Sequence, residues 1–144
     1  MKILLDAMGG DNAPDANIKG AVKAIDQINA EVILIGKEEV IRNKIKEFYG
    51  KTIEEISPRL KIQDATETIE MEDIPTVAIK RKKDSSMVVG FKMLKQDEGD
   101  VFISAGNSGA LLTGATLLVG RIKGIDRPAL AGILPAYKSR LVLI

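Results

Sequence analysis

The 144-residue chain contains no cysteine, no histidine and no tryptophan. Lacking Cys, it has no disulfides, no thiolate nucleophile and no thiolate metal ligand. Lacking His, it has no imidazole metal site and no Ser-His-Asp or Cys-His arrangement. Any chemistry must therefore run on carboxylates, Lys, Arg, hydroxyls, amides and backbone dipoles. Aromatic residues are nearly as scarce, with three Phe and two Tyr, too few to interleave with cations as a base-stacking platform. Charge of one sign is also lacking, since 21 Lys plus Arg against 20 Asp plus Glu leave +1. A dedicated nucleic-acid binder carries a basic excess, so no nucleic acid is expected as a partner. No run approaches the roughly 18 apolar residues of a membrane span. Asp6 interrupts the opening Ile3-Leu4-Leu5 run, so no signal peptide is visible and a cytoplasmic location is expected.

What remains is 45% hydrophobic and 28% charged, enough to bury a core, and one domain over 1–144 is expected. Apolar runs alternate with amphipathic stretches, the pattern of a mostly parallel sheet covered by helices on both faces. Strands are predicted at 2–5, 32–35, 60–62, 101–103, 129–134 and 141–144. The spacing of Ile18, Ala21, Val22, Ile25 and Ile28 predicts a first helix from Pro14 to about residue 29. A second amphipathic helix carries Ile41, Ile45, Phe48 and Tyr49, with Gly50 as its C-terminal cap. Thr52 and Glu55 have capping-box spacing. The polar stretch 66–84 is read as a loop followed by a short helix. Asp84 or Ser85 caps the next helix, which Gly99 closes. A helix over 110–123 is apolar nearly all round and should be largely buried, with Gly114 and Gly120 allowing close packing. The final strand has no following crossover to cover it, so the chain is expected to be the front part of a longer protein.

Two places share one design, an apolar strand running into a glycine-containing turn that opens a helix. The first is Asp6-Ala7-Met8-Gly9-Gly10-Asp11-Asn12-Ala13-Pro14, and the second is Ser104-Ala105-Gly106-Asn107-Ser108-Gly109. In an open α/β sheet, ligands bind beyond the carboxyl ends of the strands, where free amides favour an anion. The second turn suits phosphate better, because it has hydroxyl and amide donors and no acidic residue. Asp6 and Asp11 repel phosphate at the first and are expected to shape that loop and cap the first helix. Glycine turns also serve chain geometry alone. Neither turn matches GxGxxG or GxxxxGK[ST], which disfavours nucleotide binding by those motifs. Lys80-Arg81-Lys82-Lys83 precedes a helix start and reads either as an anion-facing cluster or as a solvated run. Glu67, Glu70, Glu72 and Asp73 read as surface charge rather than as a metal site.

Three stretches together resemble the bacterial phosphate acyltransferase (PlsX) family. They are the Asp6 to Pro14 turn, the run from Pro75 through Lys80-Arg81-Lys82-Lys83-Asp84-Ser85-Ser86-Met87, and Ser104 to Leu111 followed by Gly120-Arg121-Ile122 and Gly124-Ile125-Asp126-Arg127-Pro128. The resemblance implies a Rossmann-like αβα sandwich related to phosphotransacetylases and isopropylmalate dehydrogenases. It also implies transfer of a fatty acyl group from acyl carrier protein to inorganic phosphate, giving acyl phosphate for phospholipid synthesis. A homodimer without cofactor or metal is implied, in a chain more than twice this long, with any peripheral membrane contact in the missing half. The strongly acidic carrier protein would dock on residues 80–83. Phosphate would sit against Ser104, Gly106, Asn107, Ser108 and Gly109, with Gly9, Gly10 and Asp6 beside it. Ser85, Ser86 and a cation from Lys83 or Arg81 would close the site. The nucleophile is phosphate itself, so no histidine is needed. Asn107 is the expected oxyanion donor, a role worth on the order of 3 kcal/mol. A phosphotransacetylase-like enzyme using coenzyme A, and a catalytically incomplete fragment that only folds or dimerises, are the alternatives.

Overall fold

A computed structural model describes residues 1–137 and 139–143. Its centre is a parallel sheet built from the apolar runs. Strand β1 (Lys2–Asp6) pairs with β2 (Glu31–Gly36), placing Leu4 opposite Ile33 and Leu5 opposite Leu34. β3 (Leu60–Asp64) joins the far side of β2, and β4 (Val101–Ile103) joins the other side of β1. The order is β3-β2-β1-β4. β2 is buried from Val32 through Gly36, which is why it reads as a continuous apolar run rather than an alternating one.

Alternate residues point to opposite faces. Val32 and Leu34 enter a core with Ile18, Ala21 and Ile25 of α1 (Asp15–Ile25) and Ile41 and Ile45 of α2 (Glu38–Tyr49). Leu4, Ile33 and Ile35 face Met93 of α5 (Ser86–Lys95) on the other side. The result is the expected αβα sandwich. Each fully buried Leu or Ile contributes about 1.5–3 kcal/mol relative to exposure. Gly50 caps α2 at φ 63°, ψ 17°, and Thr52 and Glu55 exchange both capping-box hydrogen bonds at the start of α3 (Ile53–Ile56). Within the 66–84 stretch lies α4 (Pro75–Arg81), with Pro75 in its first turn and Ala78 and Ile79 buried.

Several elements differ from expectation. α1 ends at Ile25 rather than near residue 29, and the Arg59 guanidinium donates to the carbonyls of Ile25 and Ile28 at 2.6 Å each, at and just past that end. These bonds satisfy carbonyls that the helix end leaves without an intrahelical partner. The residue at its N-cap is Pro14, with no side-chain cap, so neither Asp6 nor Asp11 caps it. α5 stops at Lys95, and Asp97 takes the left-handed turn at φ 58°. Gly99 does not close that helix. It lets the chain pass against β1, since a Cβ there would lie 2.5 Å from Leu4 Cγ.

The predicted helix over 110–123 is α6 (Ser108–Gly114), which passes into a π-helical turn, Ala115–Val119. It is not largely buried, with Leu117 57% and Ile122 81% exposed. One face packs as expected, Gly114 meeting Phe91 and Ile79, whereas Gly120 ends the turn at φ 107° with nothing near it. The last two strands do not join the sheet. β5 (Gly132–Ala136) and β6 (Ser139–Leu143) form a separate antiparallel pair, because so short a link cannot make the crossover that parallel strands need. Ile144, the predicted end of the last strand, lies outside the described residues. Among the described residues no helix is long and apolar enough to cross a membrane.

Candidate functional site

β1 lies where the strand order reverses. From β1 the chain moves to β2 and β3 on one side, then returns to β4 on the other. The helix after β1, α1, covers one face of the sheet, whereas the helix after β4, α6, packs with α5 on the other, and the crevice between the two turns is where an open α/β sheet takes its ligand. The two glycine turns flank this crevice.

Asp6, at the end of β1, is 2% exposed. Its carboxylate accepts from the Met8 amide at 3.1 Å and from Ser104 Oγ at 2.7 Å. Ser104 Oγ in turn accepts from the Gly106 amide at 3.1 Å. A residue 98 positions away in sequence thus ties the two turns together. The glycines permit this approach. A Cβ on Gly9 would lie 2.5 Å from Asp6 Oδ2 and 3.0 Å from both Ser104 Oγ and the Gly106 nitrogen. Gly10, at φ 107°, lies against Ala105, and a Cβ on Gly106 would come 3.2 Å from Gly9 Cα. The Ser104 hydroxyl and the Gly106 amide are therefore committed within the protein and are not free phosphate donors.

What remains open is the first turn of α6. The amides of Asn107, Ser108 and Gly109 make no hydrogen bond among the described residues, and Ser108 is exposed. Gly109 packs on α4, where a Cβ would meet Pro75 Cγ at 2.7 Å. Asn107, expected to donate to an oxyanion, is buried and fully engaged. Its Oδ1 accepts from the Ala110 amide at 2.9 Å, capping α6. Its Nδ2 donates to the carbonyls of Glu70, Met71 and Asp73 at 3.1–3.3 Å.

The 66–86 stretch supplies the neighbouring wall. Ser85 is fully buried, donating to the Lys82 carbonyl at 2.8 Å and accepting from the Val88 amide at 3.4 Å as the cap of α5. Its hydroxyl is thereby occupied. Ser86 is buried in the first turn of α5, its amide bonded to the Glu67 carbonyl. The four cations divide. Lys82 turns inward to Asp73 at 2.5 Å and the Thr68 carbonyl at 2.8 Å, and this contact, with the Glu70 amide, holds the Asp73 carboxyl below the usual range. Asp84 is held low likewise by the Thr66 hydroxyl and amide. Lys80, Arg81 and Lys83 are exposed, with no side-chain hydrogen bond or ion pair among the described residues.

Between the first turn and the 68–72 segment lies a cleft of about 460 Å³, lined by Met8, Gly10, Asp11, Ala13, Lys37, Thr68, Glu70, Met71 and Glu72. A larger open depression, about 660 Å³, lies beside the start of α2 and shares Lys37 with this cleft. There Arg42 is paired with Glu38 and Glu54 and Asp64 accepts from the Glu38 amide, and neither glycine turn lines it, so we place the site at the crevice. Sequence reading missed two residues here, Asn17 and Lys37, and gave Lys82 an outward role where it turns inward. Asn17 Nδ2 donates to the carbonyls of Asp6, Ala7 and Gly9 at 2.9–3.2 Å. A backbone-seeking Asn in a helix's first turn, just after a glycine turn, was its only signal.

Fold and geometry together define an open parallel αβα protein with a crevice at the switch point between β1 and β4, the position at which such sheets bind ligands. The chain belongs to the family described as "Fatty acid synthesis protein", whose model matches residues 1–144. It is 52% identical over its full length to a phosphate acyltransferase of Acetivibrio thermocellus. It is 49% identical to that of Thermoanaerobacter pseudethanolicus and 48% to that of Alkaliphilus oremlandii, again over the whole chain. The chain spans 41% of the length of the first two relatives and 42% of the third.

Proposed function

We propose that this chain forms the phosphate-facing part of an acyltransferase that moves a fatty acyl group from acyl carrier protein to inorganic phosphate. The observation that carries the reading is the joining of the two glycine turns at the switch point, which leaves the amides of Asn107, Ser108 and Gly109 open beside a crevice. The names of the relatives supply the reaction class.

In this reading phosphate is held by the amides of residues 107–109 and the Ser108 hydroxyl. One oxygen of hydrogen phosphate attacks the thioester carbonyl, the tetrahedral intermediate collapses with cleavage of the carbon–sulfur bond, and the departing thiolate takes up the proton that phosphate gives up. Holding phosphate in place beside the thioester makes the attack effectively unimolecular, which lowers the barrier. Asp6, Ser104, Gly9, Gly10 and Gly106 hold the two turns in register and do not touch phosphate. Ser85 and Ser86 fix the start of α5. Lys80, Arg81 and Lys83 form the exposed surface on which the acidic carrier protein docks.

The test is acyl phosphate formation from phosphate with either acyl carrier protein thioester or acyl coenzyme A. It is run on this chain and on a form extended to full length with the remaining part of the Acetivibrio thermocellus relative. Turnover with the carrier-protein thioester is the expected result. Turnover with coenzyme A alone would move the chain to the phosphotransacetylase-like class. No turnover in either form, with no protection by phosphate, would overturn the proposal.

A further inference from the structure

The geometry points to Asn17 and Asn107 as a pair of positioning residues, each fixing one wall of the cleft beside the crevice before any ligand arrives. One wall is the turn after β1, which contributes Met8 and Gly10, and the opposite wall is the segment contributing Glu70 and Met71. Each wall is gripped by one asparagine amide. Asn17 Nδ2 reaches the carbonyls of Asp6, Ala7 and Gly9, and Asn107 Nδ2 reaches those of Glu70, Met71 and Asp73. A carboxamide nitrogen has two hydrogens, so in each case they are shared among three carbonyls of one loop.

Both grips originate on helix starts. Asn17 lies in the first turn of α1, and Asn107 is the N-cap of α6. The helices are packed into the two cores, Ile18 and Ala110 being fully buried next to each asparagine's turn. The loops therefore inherit their position from rigid elements instead of from one another. Loop carbonyls left without these donors would turn to water and let the wall move. A displacement of about 1 Å at a reacting centre can cost on the order of 100-fold in rate. The inference rests on the proposed acyl transfer for its kinetic consequence only. The mechanical claim stands on the hydrogen bonds.

The two functions of Asn107 can be separated. Asn107→Ser retains a side-chain oxygen for the Ala110 amide but has no amide to grip the wall, and Asn107→Asp retains the cap while presenting an acceptor to three carbonyls. Asn17→Ser and Asn17→Asp remove the other grip. Asn43→Ser, at an exposed position on α2, is the control. Hydrogen exchange on this chain reads the walls directly. Amides in 68–73 should exchange at least ten-fold faster in the Asn107 variants, and those in 7–13 in the Asn17 variants, with β2 amides unchanged. In the full-length form kcat/KM for the acyl thioester should fall ten-fold or more, with circular dichroism unchanged. If only global unfolding accelerates, or if both walls keep wild-type exchange in the serine and aspartate variants, the inference is wrong. Absence of turnover in the unsubstituted protein would count against the acyl-transfer reading alone, since exchange still decides the clamps.

Discussion

Replacing Gly9 by alanine tests the joined turns most sharply, because the added methyl has nowhere to go. Its Cβ would stand 2.5 Å from Asp6 Oδ2, 3.0 Å from Ser104 Oγ and 3.0 Å from the Gly106 nitrogen. Carbon makes comfortable contacts at roughly 3.5–4 Å, so these three groups must part. Asp6 cannot swing away freely, because both its oxygens are bonded and it is almost wholly buried. Overpacking of this kind costs about 1–3 kcal/mol, and the charge-assisted Ser104–Asp6 bond is worth about 1.5–3 kcal/mol more if broken. Partial relaxation keeps the two from adding fully, and a loss of about 2–4 kcal/mol is expected. With a urea m-value of about 1–3 kcal/mol/M, the unfolding midpoint of this chain should fall by roughly 0.7–4 M (about 2–4 kcal/mol divided by m). Gly20→Ala is the matched control. It lies within α1, is exposed and meets nothing within 4 Å, so it should stabilise by about 0.5–1 kcal/mol. A Gly9→Ala midpoint within error of wild type would refute the contact between the two turns.

Two further outcomes follow from the ion pairs and caps. Lys82 and the Glu70 amide hold the Asp73 carboxyl below its ordinary value of 3.8, so its contribution is present above that value and is lost as pH falls through the lower folded-state value. Asp73→Asn should therefore reduce stability near neutral pH and flatten the acid limb of a Tm-against-pH curve, and an unchanged acid limb would contradict the Lys82 contact. Arg59→Ala removes the donors to the carbonyls of Ile25 and Ile28 at the end of α1 and should cost about 1–3 kcal/mol in urea unfolding. Arg59→Lys should recover only part, because an ammonium lacks the fork that reaches both carbonyls.

Local chemistry was legible wherever one residue type has one physical outcome. The double-sided burial of β2, the left-handed Gly50 cap and the capping box of Thr52 and Glu55 all follow from patterns of a few neighbouring residues. The two glycine turns were also visible, and so was their place after strands. The N-cap role of Ser85 was legible too, but the fates of Gly99 and Asn107 were not. Gly99 reads as a helix stop, yet its partner is Leu4 on the first strand. Asn107 reads as a free donor, yet its amide is taken by a segment more than thirty residues earlier. The apolar runs near the end likewise carry no information on whether strands pair parallel or antiparallel.

By itself the sequence determined the αβα class, the alternation of strands and helices, and the position of the two turns. These depend on periodicity and capping, which act within a few residues. Only the tertiary structure decided that Asp6 and Ser104 share a hydrogen bond, that the Ser104 hydroxyl and the Asn107 amide are committed, and that the amides after Gly106 stay open. A buried polar group is satisfied by whichever partner folding brings within about 3 Å, and that partner can come from anywhere in the chain.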